Sequence, residues 1–84
     1  MMMRERDMKI VRNTLMWIWN VDWATFAERV FDVDISTAPD HKLEYLARYN
    51  DARRTNPANL FAMLDYDKMM RITEAAAQKY GVVE

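Results

Sequence analysis

Between Met8 and Val33 the apolar residues recur at the spacing of an amphipathic helix. At about 100° per residue, Met8, Val11, Leu15, Ile18, Trp19, Trp23, Phe26, Val30 and Val33 fall on one broad stripe, which is expected to face the core. A second apolar line, Ile10, Trp17 and Val21, runs roughly 180° away, with Ala24 and Phe31 at its margin. A helix apolar on two faces must be covered twice, by later helices of its own chain or by a partner. The line of Ile10, Trp17 and Val21 is therefore the first candidate for partner binding, because it offers substantial aromatic area.

The pattern then divides the chain. Residues 1–4 are expected to fray, with helix beginning near Arg4 or Glu5. Asp22 is a good N-cap, and Val21 and Phe26 have the spacing of a hydrophobic staple. Two helices joined by a tight break near Asn20 to Asp22 are therefore expected. Phe31 to Ile35 alternates like a short strand, but no second strand-like run exists to pair with it, so it reads as a connection. Thr37 can cap a helix with Pro39 in its first turn, running to about Arg54, with Leu43, Leu46, Ala47 and Asn50 as a narrow inner stripe. Asn56 followed by Pro57 opens a short segment bearing Leu60, Phe61, Met63 and Leu64. At Asp65 the apolar phase reverses, which predicts a new cap and a last helix over about 66–80. Gly81 should end it in the left-handed conformation, with Val82 folding back on Ala77.

Composition supports helix throughout: the 84 residues include one glycine, two prolines and eight methionines. The fold expected is all-α, a single domain built as a compact bundle of four or five short helices. The absence of cysteine excludes disulfides, zinc-thiolate sites and thiol catalysis, and suits a cytoplasmic protein. The net charge of −1 provides no general attraction for nucleic acid or anionic membrane, and the unbroken apolar run Leu15 to Trp19 is too short to span one.

Candidate chemistry is sparse. Asp32 with Asp34 begins like a calcium loop, but Thr37 stands where glycine is needed and Leu43 where glutamate is needed. Asp65 with Asp67 suits a helix start. His41 is the only histidine and Ser36 the only serine, so the usual nucleophile, base and metal constellations cannot be assembled. Neither catalysis, cofactor, metal nor small-molecule substrate is expected.

Nucleic-acid binding has two partial footholds. Ile72 to Val83 resembles the first helix and turn of a helix-turn-helix unit, but the sequence ends at Glu84, where a recognition helix would begin. Alternatively, residues 57–64 and 66–80 form the pair, offering Lys68, Arg71, Gln78 and Lys79 to DNA while setting Asp65, Asp67 and Glu74 against its phosphates.

Protein binding is the leading expectation, to a foreign partner or to a second copy as a dimer. A second candidate surface is the outer face of the third helix, where His41, Tyr45, Arg48, Tyr49 and Ala52 lie together with Arg53 and Arg54 following, rich in the residue types that dominate interface hot spots. The partner-binding set is thus Ile10, Trp17, Val21, Tyr45, Arg48, Tyr49 and Arg53. Size and composition suit an accessory protein of a phage or mobile element acting as a stoichiometric inhibitor or regulator. A helix-turn-helix-like DNA-binding regulator is the alternative.

Overall fold

The computed structural model describes residues 4–81. It contains five helices: α1 (Glu5–Asn20), α2 (Trp23–Phe31), α3 (Asp40–Thr55), α4 (Pro57–Met63) and α5 (Tyr66–Tyr80). No strand occurs among the described residues. The expected behaviour of Met1 to Met3 and of Val82 lies outside them.

Local chemistry sets most of the boundaries. The break after Asn20 is capped by Asp22, whose carboxylate accepts from the Thr25 backbone N–H at 2.9 Å and the Thr25 hydroxyl at 2.8 Å. Asn56 accepts from the Ala58 N–H at 3.0 Å with Pro57 at the first helical position, where its missing N–H costs nothing. Asp65 accepts from the Lys68 N–H at 2.9 Å, at the point where the apolar phase reverses. Gly81 closes α5 through its N–H to the Ala77 carbonyl at 2.8 Å. Its φ of 84° is positive as expected, but ψ is 154°, so the chain leaves in an extended direction instead of the left-handed helical one.

The start of α3 differs from expectation. Thr37 is not its cap. Asp34 turns the chain first, accepting from the Ser36 N–H at 3.0 Å and the Ser36 hydroxyl at 2.6 Å, while the Thr37 N–H donates to the Asp34 carbonyl at 3.1 Å. Thr37 is spent on that turn, and Pro39, extended at ψ 156°, becomes the residue from which the helix departs. Phe31 is the last residue of α2, and the run from Asp32 to Ile35 is indeed a connection. Asp32 adopts the left-handed conformation at φ 56°, which a short polar side chain tolerates, and Val33 turns back into the interior.

Two apolar clusters hold the fold. The larger joins Trp17 and Ile18 of α1, Phe26 and Val30 of α2, Leu60 of α4, Leu64, and Ile72, Ala75 and Ala76 of α5. The smaller, Ala27, Val33 and Leu46, seats α3. Trp17, Trp23 and Phe31 each stand within 6.2 Å of Phe26, ring centre to ring centre, so Phe26 is the hub of an aromatic group. On α3 the inner stripe is rotated from the one expected: Leu46 is buried with Arg53, Leu43 and Asn50 are half-buried, and Ala47 is exposed.

The main correction concerns α1. Its core face is the line of Ile10, Thr14, Trp17 and Ile18, with Val21 following. Met8, Val11 and Trp19, expected inside, are exposed. Beyond the break the expected stripe holds, with Phe26, Val30 and Val33 buried. The apolar phase therefore does not carry across Asn20 to Asp22. The small residues Ala75 and Ala76 let α5 cover the Trp17 side, and the buried Thr14 hydroxyl satisfies itself on the Ile10 carbonyl at 2.7 Å.

The caps also set an acid limit. Hydrogen bonds from Thr25, Ser36 and Lys68 hold the Asp22, Asp34 and Asp65 carboxyls below their ordinary value of 3.8. A group whose folded pKa is lowered stabilises the fold above its unfolded value and loses that contribution as pH falls through the folded value. All three act in the same direction. Thermal melts followed by circular dichroism should therefore be nearly flat from neutral pH to about pH 5 and decline steadily below about pH 4.

Candidate functional site

The structure separates the residues expected to bind a partner. Trp17 is 3% exposed, and Ile10 and Val21 beside it are half-buried, so the face they form is largely covered within the fold. Arg53 is likewise internal at 8% exposure. Its guanidinium donates to the Ile18 carbonyl at 3.1 Å and the Val21 carbonyl at 2.7 Å, while Nε donates to Asn50 at 2.9 Å. It also lies over the Phe26 ring at 5.7 Å. Burial pushes its pKa down from the ordinary value, yet a guanidinium stays protonated in proteins, so it is a fixed cation at the negative end of α1. Neither Trp17 nor Arg53 is a surface contact.

Tyr45 and Arg48 remain exposed on α3, whereas Tyr49 is half-buried. The Tyr49 ring stands 4.8 Å from Phe31, centre to centre, and its hydroxyl shares a 3.1 Å hydrogen bond with that of Tyr45. That bond, and then partial burial, raise the Tyr49 pKa above its ordinary value of 10.0. Tyr49 is thus an edge of the smaller core, with Tyr45 resting on it.

What the fold exposes instead is the other side of α1. On the helical projection Val11, Leu15, Met8 and Trp19 occupy an arc of about 80°, with Arg12, Met16 and Lys9 along one border. Met8, Val11 and Met16 are exposed, Leu15 is half-buried, and Trp19 is 57% exposed. The opposite border of the arc runs into Ile18 and Thr14, which are buried. The sequence held a signal for this arrangement. After Asp7 the only charged residues of α1 are Lys9 and Arg12; Arg12 lies about 20° from Trp19 on the projection and far from Trp17, while Lys9 stands between the two faces beside Met16. Charge borders a surface face more readily than a core face.

The remaining features are polar. An open cleft of about 440 Å³ between the ends of α1, α2 and α5 is lined in part by Asp22, Thr25, Arg29, Gln78 and Lys79, with Arg29 donating to Gln78. The basic side chains of α5 are largely committed. Lys68 pairs with Asp65 at 3.0 Å, and Arg71 pairs with Asp32 at 2.6 Å and with Asp67 at 3.3 Å. The hydrogen bond from Arg71 to Asp32 raises the guanidinium pKa. Among the described residues no three acidic or histidine side chains come together as a metal site, and no helix is long and apolar enough to cross a membrane. No family model matches the chain, and comparison with curated proteins and with solved structures finds no match.

Proposed function

We propose that this chain is a non-catalytic binding domain that engages another protein through the outer face of α1. The observation that carries this reading is Trp19, a large aromatic left more than half exposed at the C-terminal end of an apolar arc, on a helix whose other side packs into the core through Trp17 and Ile18. Met8, Val11, Leu15, Met16 and Trp19 together offer an apolar patch of roughly 400 Å², within the range in which patches on small proteins are commonly functional. Tryptophan is among the side chains that dominate interface energetics, and methionine adapts to irregular partner surfaces. Size and composition suit a stoichiometric accessory role. For the DNA-binding alternative, the pairing of Lys68 and Arg71 with aspartates leaves α5 few cations for phosphates.

Trp19→Glu tests the reading without disturbing the core. Its circular dichroism spectrum should match wild type, and its Tm should shift by only a few degrees, as for other surface changes. Affinity capture followed by mass spectrometry should recover a partner with wild type and lose it with Trp19→Glu, while Tyr45→Glu should retain it. Equal capture by Trp19→Glu, or no wild-type-dependent partner, would remove α1 as the binding face.

A further inference from the structure

The outer face of α1 carries a chemical asymmetry that specifies its occupant. The charged groups beside the apolar arc beyond the first turn are both cations, the Arg12 guanidinium and the Lys9 ammonium, and the Trp19 indole adds an N–H donor. Lys9 and Arg12 are exposed and make no ion pair among the described residues. The acids of α1, Glu5 and Asp7, are confined to its first turn, where they oppose the helix dipole. The Asn20 amide donates to the Met16 carbonyl at 2.8 Å, which folds this side chain back on the last turn of α1. We infer that this face, read above as a protein-binding surface, docks an amphipathic helix whose apolar stripe is bordered by carboxylates, the acidic border lying against Arg12 and Lys9.

A second copy of the chain fits poorly. A two-fold pairing of α1 with α1 that covers Trp19 sets Met8 of one copy opposite Trp19 of the other, and residue 12 opposite residue 15. Both Arg12 side chains then stand on the same side of the seam, displaced by only about 4.5 Å along the axis, with Lys9 of each copy on that side too. A parallel two-fold pairing sets the two Arg12 side chains on opposite sides of the seam, and there too neither meets a carboxylate from beyond the first turn. Like charges placed together at an interface oppose association, whereas carboxylates there supply the missing partners.

The test uses the whole chain and two synthetic helical peptides of about four turns, identical in their leucine stripe and differing only in a border of glutamates or of lysines. Binding is followed at physiological salt by amide chemical-shift changes and by titration calorimetry. The glutamate-bordered peptide should bind, shift resonances of α1 around Met8 to Trp19, and bind at least about tenfold more tightly than the lysine-bordered one. Lys9→Glu combined with Arg12→Glu should reverse that preference while leaving the Tm near wild type, and Trp19→Ala should weaken both peptides. Equal binding of both peptides, still dependent on Trp19, would overturn the acidic border while leaving the protein-binding reading intact. Binding of neither peptide, with α1 resonances shifted only by vesicles of phosphatidylcholine containing a fifth phosphatidylserine, would overturn both. A concentration-dependent dimer in sedimentation equilibrium, abolished by Trp19→Ala, would make the second copy the occupant and overturn the inference.

Discussion

Trp17→Glu is expected to yield an unfolded chain, whereas the same substitution two residues later at Trp19 leaves the fold intact. Trp17 is 3% exposed, with its ring 6.2 Å from that of Phe26, in the apolar cluster that α1, α2, α4 and α5 build together. Truncating a buried tryptophan removes about 3–5 kcal/mol, and a carboxylate in the same place adds the expense of an unpaired buried charge. A domain of this size is stable by only about 5–10 kcal/mol, so the combined loss removes most or all of it. Far-ultraviolet circular dichroism at 25 °C should show helix content collapsing for Trp17→Glu and remaining at wild-type level for Trp19→Glu. Trp17→Ala should lie between them, folded but melting well below wild type. A folded, cooperatively melting Trp17→Glu protein would mean that α5 does not cover α1 on that side.

The second large effect is expected at Arg53. This one side chain ties α3 to the end of α1 by donating to two main-chain carbonyls, and its stem and charge cover the Phe26 ring. Arg53→Met keeps most of the apolar stem but removes all the donors. The Ile18 and Val21 carbonyls and the Asn50 side chain then lose their partner in a partly water-excluded place, at about 1–3 kcal/mol for a buried acceptor. The expected loss is about 2–4 kcal/mol in chemical denaturation, with the m-value unchanged. Arg53→Lys should recover little, since a single ammonium cannot reach both carbonyls and Asn50 in the geometry of a planar fork. If Arg53→Met is as stable as wild type, the carbonyls find water and the arginine is a passive passenger.

The consequence for function is that α1 must be judged by both of its faces. On the sequence Ile10, Trp17 and Val21 form the lesser of two apolar lines, so periodicity alone sends the longer stripe to the core. The fold reversed this for one helix only. Met8, Val11, Leu15 and Trp19 share a phase with Phe26, Val30 and Val33 only if the chain is a single straight helix, and the cap at Asp22 rotates α2 away from it. Arg53 was misplaced for a related reason. Arginine near the end of an exposed-looking helix resembles an interface residue, and nothing local reveals that the free carbonyls of another helix lie against it.

By itself the sequence determined the all-helical class, the break at Asn20 to Asp22, the caps at Asp22, Asn56 and Asp65, and the end of α5 at Gly81. These follow from interactions within a few residues, where spacing and side-chain chemistry are sufficient. Only the tertiary structure decided which apolar face of α1 is buried, that Arg53 closes α1 from a distance, and that Trp19 faces outward. Those outcomes depend on the direction in which each helix leaves its cap and on which neighbour is small enough to approach, and neither is encoded in periodicity alone.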